Sequence, residues 1–200
     1  MLTAASSTNL LFLTHPQVAI DPAIPVPDWT LSQLGVSRME QFAASSVVAG
    51  VTAIYCSGER KAVDTARILS ERTGVPYSVV AALHENDRSA TGYLPPEQFE
   101  AVADRFFAEP ETSVLGWERA VDAQSRIVHC IHEIVDGDTT PGDIVIAAHG
   151  GVGALALAYL LRKPISRRFD QPGSGGGNFF TCRRATLELL REWQSIDVAS

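Results

Sequence analysis

Two histidines and one glutamate in this sequence stand where reactive groups collect in open α/β proteins. His15 follows the apolar run Leu10-Leu-Phe-Leu-Thr14, His149 follows Asp143-Ile-Val-Ile-Ala-Ala148, and Glu85 follows Tyr77–Leu83. Short apolar runs bounded by turn residues read as buried strands, and ligands of such sheets bind beyond the carboxyl ends of the strands. Ser57, after Val51–Cys56, has the same placement. An imidazole can attack phosphorus and hold it as a covalent phosphohistidine. A second imidazole can stabilise charge on the equatorial oxygens. A carboxylic acid can protonate the leaving oxygen and, as carboxylate, activate water. Cations and backbone N–H groups at a helix start bind the dianion. The constellation suits phosphoryl transfer.

Elements that would position these groups are legible around them. Prolines at 22, 25 and 27 make Asp21–Trp29 a loop crossing the top of the fold. Thr30 or Ser32 can cap a helix with Leu31, Leu34, Met39 and Phe42 on its apolar face. Arg60–Arg72 reads as a second helix stopped by Gly74 and Pro76. Pro95–Phe107 is a third and Gly116–Val135 a long fourth, with Val121, Ile127, Val128, Ile131 and Val135 facing the core. Gly150 begins a fifth, rich in Ala and Leu. The glycine-rich loop Pro172–Gly177 precedes Asn178–Cys182, an edge or return strand, and Ala185–Ser195 is open between helix and strand. Strands alternating with helices predict an α/β sandwich with a mostly parallel sheet.

The chain has 200 residues, and one domain over 1–200 is expected, with about 85–116 as an insertion over the site. A net charge of -7 argues against a nucleic-acid partner, although a pocket can be locally positive on an acidic protein. Cys56, Cys130 and Cys182 are few and lack CxxC spacing, which predicts neither a disulfide framework nor a zinc site. The N-terminus lacks a positive n-region, and no apolar stretch is long enough for a bilayer, so no membrane partner and a cytoplasmic location are expected.

Four motifs occur in order: Leu13-Thr14-His15-Pro16, Ser57-Gly-Glu-Arg60-Lys61-Ala62-Val-Asp-Thr65-Ala66, Leu83-His84-Glu85 and His149-Gly150-Gly151. Together they resemble the histidine phosphatase superfamily, the phosphoglycerate mutase-like fold, whose members read Arg-His-Gly, Ser-x-Leu-x-Arg-Ala-x-x-Thr-Ala, Leu-x-Glu and His-Gly-Gly. The resemblance spans roughly residues 9–182. It implies a three-layer sandwich with helices on both faces of the sheet. It also implies that His15 is the nucleophile, Glu85 the acid/base and His149 the flanking histidine, with the Gly150 N–H on a phosphate oxygen. The implied activity is hydrolysis of a phosphomonoester or a phosphohistidine, on a small phosphorylated substrate or a phosphoprotein, without cofactor or metal.

Departures from the pattern concern charge. Thr14 replaces an arginine; its hydroxyl can donate a hydrogen bond but brings no charge. Lys61 stands in register with the second arginine and offers a point charge in place of a fork; Arg60 is its neighbour. Pro16 removes an N–H, and Asp21 replaces a phosphate-binding asparagine of the mutases. Arg88 is the candidate to restore a guanidinium. The alternative to an enzyme is a weak or inactive member that binds a phosphorylated ligand or protein. Gly151-Val-Gly153-Ala-Leu-Ala156 also matches a dinucleotide-binding fingerprint, and His129 with His132 could share a metal.

Overall fold

The computed structural model describes residues 8–173 and 175–198. The N-terminal residues read above for a signal segment lie outside that range. Six strands form one sheet: β1 (Asn9–Thr14), β2 (Val51–Cys56), β3 (Tyr77–Val79), β4 (Asp143–Ala148), β5 (Asn178–Arg183) and β6 (Leu189–Ser195), in the order β3-β2-β4-β1-β5-β6. β1, β2, β3 and β4 run parallel, β5 pairs antiparallel with β1, and β6 pairs antiparallel with β5 and so returns to the direction of the first four.

Alternation along the central strands divides the core in two. Leu10, Phe12, Ile144, Ile146 and Phe180 face one layer, where they meet Ile127 and Ile131 of α4 (Ala120–Gly137) and Val152 and Ala156 of α5 (Gly150–Leu160). Leu11, Leu13, Val145, Ala147 and Phe179 face the other, against Met39 and Phe42 of α1 (Gln33–Ala43) and Ala66 and Leu69 of α2 (Arg60–Thr73). Burial on both faces explains why the central strands read as unbroken apolar runs. α3 (Pro96–Ala108) builds a third cluster, where Phe106 and Trp117 pack with Leu155 of α5. The result is the expected three-layer α/β sandwich. Among the described residues no helix is long and apolar enough to cross a membrane.

Local departures from the expectations have identifiable causes. The third strand ends at Val79; Val80 donates its N–H to Cys56, and a 3-10 turn over Ala81–Leu83 then buries Leu83. The fourth helix begins at Ala120, because Leu115 and Gly116 take φ values of 52° and 82° that a right-handed helix excludes. Ser32 caps α1 at the Gly35 N–H, 3.1 Å away, but Leu34 is 59% exposed because the helix turns Gly35, Met39 and Phe42 inward. β5 is no edge strand: it lies between β1 and β6, and Ala185–Ser195 resolves as the return to β6.

Candidate active site

Parallel pairing of β1 with β4 aligns Thr14 with Ala148, so the residues after them are neighbours too. His15 and His149 meet edge to face, ring centroids 5.3 Å apart at 68°. Burial, reinforced by His149, lowers the His15 pKa to about 3, which leaves its ring neutral at neutral pH. His15 Nδ1 lies 2.9 Å from the Pro16 carbonyl oxygen. A carbonyl can only accept, so Nδ1 carries the hydrogen and Nε2 keeps its lone pair.

His149 is fully buried. Burial lowers its pKa, against the opposing pull of Glu59 and Glu85. Its Nε2 lies 2.8 Å from Ser57 Oγ and 3.5 Å from Glu59 Oε1, while Nδ1 has no partner among the described residues. A buried ring nitrogen without a partner is uncommon in a native interior, and a phosphoryl oxygen is the kind of group that would satisfy it in the protonated ring.

Glu85 arrives from the 3-10 turn and lies against the start of α5. Its carboxylate accepts the N–H groups of Gly151 (3.1 Å), Val152 (2.9 Å) and Asn86 (3.1 Å). Burial pushes its pKa up, but the charges of His149 and Arg88 outweigh that, and with the Gly151 N–H they hold it below the usual range. A Cβ on Gly151 would stand 2.8 Å from Glu85 Oε1, so only glycine admits the carboxylate. A Cβ on Gly153 would stand 2.8 Å from the Trp193 ring. These packing needs account for the glycines of the apparent dinucleotide fingerprint. Two N–H groups of the helix start, those of Gly151 and Val152, serve Glu85, while Gly150 lines the pocket.

Two connected spaces open above these groups. A small pocket of about 190 Å³ is lined by His15, Glu85, Gly150, Arg88 and Gln171. A larger cleft of about 820 Å³ adjoins it, sharing Glu85, Asn86 and Arg88 with it. The segment 85–116 contributes to both: Phe99 and Phe106 wall the small pocket and Tyr93 the cleft.

The candidate cations are distributed unevenly. Arg88 is at the site: its guanidinium stacks over Phe99 (5.0 Å) and Trp117 (5.6 Å), with no carboxylate ion pair among the described residues. Arg60 is turned away, its side chain 58% exposed and paired with Asp64 at 3.0 Å. Lys61 is buried beneath the site, where Nζ donates to Glu59 Oε2 at 2.5 Å and to the Val26 carbonyl at 2.8 Å. The Thr14 hydroxyl is not free for substrate; it donates to Gln171 Oε1 at 2.6 Å. Asp21 is exposed and accepts the Ala23 N–H within its own turn, and it lines neither space. His129 pairs with Glu133, and no group of three metal-ligating side chains occurs among the described residues.

Three site residues escaped the sequence reading. Asn86 is buried with its Nδ2 unpartnered and lines both spaces. Gln171 lies far along the chain, in a loop. Glu59, which holds the leucine position of the second motif, touches three site residues: beyond its bond to Lys61 and its approach to His149, its Oε1 accepts the Glu85 N–H at 2.9 Å. Burial opposes its ionisation, but His149, Lys61 and that N–H hold its pKa at about 2. A carboxylate two residues before the motif cation was the available signal. Removing one member of a buried pair leaves the other charge uncompensated and costs about 3–5 kcal/mol. Glu59→Leu is therefore expected to lower unfolding stability by that amount in chemical denaturation, and the double variant Glu59→Leu, Lys61→Met to recover most of the loss. Equal stability of Glu59→Leu and the parent would show that the pair does not hold Lys61 in place.

Known proteins resemble this chain in sequence and in fold. Residues 20–177 match the histidine phosphatase superfamily (branch 1); the matched segment includes Glu85 and His149 and begins after His15. A glucosyl-3-phosphoglycerate phosphatase of Mycolicibacterium vanbaalenii is 31% identical over 172 residues, covering 78% of this chain and 76% of that protein. The structure of a mycobacterial glucosyl-3-phosphoglycerate phosphatase complexed with inorganic phosphate is 25% identical, with a TM-score of 0.73 over 96% of this chain and 99% of that one. The fold also recurs in YhfR of Bacillus stearothermophilus, at 20% identity and a TM-score of 0.74 over 92% of this chain and 95% of that one. A family match across most of the chain, joined to a relative this similar, means that the chain belongs to the histidine phosphatase superfamily (branch 1) and is a phosphatase of that family.

Proposed function

We propose that the protein hydrolyses a phosphomonoester through a covalent phosphohistidine on His15. The observation that carries this reading is the fixed tautomer of His15: Nδ1 bound to the Pro16 carbonyl, and a neutral Nε2 beside Glu85 and His149. In the first step Nε2 attacks phosphorus, the N–P bond forms and the P–O ester bond breaks. The leaving oxygen takes a proton from Glu85. In the second step water gives a proton to Glu85 and attacks phosphorus, the N–P bond breaks, and phosphate departs. His149, held by Ser57 and Glu59, supports the charge on the phosphoryl oxygens.

Glu85 is ionised before substrate binds, so its proton must come with the substrate. The ester monoanion carries one, and a phosphoryl group against Glu85 raises the carboxyl pKa by like-charge repulsion. The reactive combination is then neutral His15, ionised Glu85 and monoanionic ester.

The cleft supports a view of the leaving group. Pro22, Ile24, Pro25, Val26 and Tyr93 give it an apolar wall, and Asp28, Glu59 and Asp87 bring carboxylates to it. Arg88 is held toward the small pocket by Phe99 and Trp117. Such a cleft favours an uncharged, apolar alcohol portion over a carboxylated one such as the relatives' names describe. The test is a phosphate-ester panel. We expect 1-naphthyl phosphate to be turned over at least tenfold more efficiently, in kcat/KM, than 3-phosphoglycerate or glucosyl-3-phosphoglycerate. Preference for the carboxylated esters would overturn the leaving-group assignment. Phosphate binding with no turnover of any ester would overturn hydrolysis in favour of a binding role.

A further inference from the structure

Replacement of the arginine before the nucleophile leaves a gap in the expected charge, and a chain of hydrogen bonds shows what fills it. Two backbone groups, whose roles cannot reverse, fix that chain. The Asn178 N–H donates to Thr14 Oγ1 at 3.0 Å, so the Thr14 hydrogen goes to one of two acceptors in reach, Gln171 Oε1 at 2.6 Å or the Asn178 carbonyl at 3.1 Å, and the shorter contact is to Gln171. The Pro172 carbonyl accepts from Asn178 Nδ2 at 3.1 Å, which fixes the orientation of that amide, and the same Nδ2 also donates to Gln171 Oε1 at 3.1 Å. An Nε2 donor in that place would clash with Nδ2, so the Gln171 atom facing Asn178 Nδ2 and Thr14 is the oxygen. Its Nε2 must point the other way.

That direction leads to the reaction site. Gln171 lines the small pocket with His15, Glu85, Arg88 and Gly150. Its Nε2 lies over Gly150, where a Cβ would collide with it, and it has no hydrogen-bond acceptor among the described residues. An amide whose oxygen is held by two donors, and whose NH₂ is presented without a partner beside a nucleophile, is a preorganised donor of the kind that stabilises developing negative charge. Thr14 and Asn178 are nearly fully buried, so the fixing chain is shielded from water.

We propose that Gln171 Nε2 binds a phosphoryl oxygen in place of the motif arginine, and that Thr14 is the positioning residue that aims it. The proposal deepens the hydrolase reading and rests on it for the identity of the anion. A neutral donor in place of a guanidinium also fits the ester monoanion better than the dianion, in keeping with the protonation state assigned above.

The test uses the full chain with inorganic phosphate and orthovanadate as binding probes and 1-naphthyl phosphate as substrate. Gln171→Glu keeps the shape and the oxygen that Thr14 and Asn178 bind but replaces the donor with an acceptor. It is expected to lower kcat/KM and vanadate affinity by about 10²–10³-fold, the usual cost of losing one such donor. Gln171→Met removes the polar groups at similar volume and should cost a similar factor. Thr14→Val should cost roughly tenfold alone and almost nothing when added to Gln171→Met, because its effect passes through Gln171. A purely structural role of Thr14 would give additive losses instead. Thermal melts keep folding defects apart from these effects. The proposal is overturned if folded Gln171→Glu binds vanadate as tightly as the parent, if the Thr14 and Gln171 losses add, or if the parent binds neither probe. Absence of turnover in the parent, with vanadate binding lost in Gln171→Glu, would remove the hydrolase reading and leave Gln171 as the anion's donor.

Discussion

His15→Ala is expected to abolish both turnover and the acid-labile phosphoenzyme while leaving the fold intact. Loss of a covalent nucleophile costs on the order of 10⁶ in kcat where it has been isolated in other enzymes, and nothing in this site replaces the lost lone pair. His149 is not placed to attack in its stead: its ring is fully buried, lines neither the small pocket nor the cleft, and is tied through Nε2 to Ser57 and Glu59. The structural cost is small by comparison. Cross-strand bonds of β1 do not involve the His15 ring, and the one ring contact to backbone is with Pro16. Rapid acid quench after mixing with a radiolabelled ester reads the intermediate directly, since a phosphohistidine is acid-labile and base-stable. Retention of either the label or more than a hundredth of the activity in a well-folded His15→Ala protein would mean that phosphorus is carried elsewhere, or attacked by water without an intermediate.

His15 and His149 could be read from the sequence because each immediately follows a buried run, whereas Glu85, beyond a 3-10 turn after the half-exposed β3, was marked by the order of the motifs. β1, β2 and β4 are covered on both faces, so their composition announces them, and a polar residue at the end of such a run is conspicuous. Edge elements gave no such signal. β3 is only three residues long, and β6 carries Arg191, Glu192 and Gln194 on a half-exposed surface. Side-chain direction was the second limit. Arg60 and Lys61 are adjacent, and one faces solvent while the other is buried; the helical phase of α2 decides this, with Asp64 one turn on from Arg60 as its partner. Gln171 was out of reach for a different reason. Its role depends on contact with Thr14, 157 residues away, and nothing in the local sequence of a loop encodes that distance.

Glu85→Gln tests the other half of the reaction, and its size should depend on the leaving group. A general acid contributes about 10²–10⁴-fold, and the contribution vanishes when the leaving oxygen needs no proton. We expect a loss of that order for an alkyl phosphate and a loss below tenfold for 4-nitrophenyl phosphate. The pH profile supplies a second signature. Glu85 has a pKa held below its ordinary value, and His15 one of about 3, so near pH 5 both are in the proposed reactive state. The alkaline limb then belongs to the ester, whose second ionisation lies near pH 6 for phosphomonoesters. The parent's kcat/KM for alkyl phosphates should fall about tenfold per pH unit above that value, because the dianion brings no proton for Glu85. An amide at this position takes no proton from the ester, so the limb of the Glu85→Gln variant should flatten. Its side chain keeps one oxygen for the Val152 and Asn86 N–H groups that Glu85 Oε1 now accepts, while the Gly151 N–H loses its acceptor Oε2, so thermal melts accompany the kinetics. An equal loss for both leaving groups, or parent activity that climbs through pH 8, would remove Glu85 as the acid and leave it the smaller role of holding the first turn of α5.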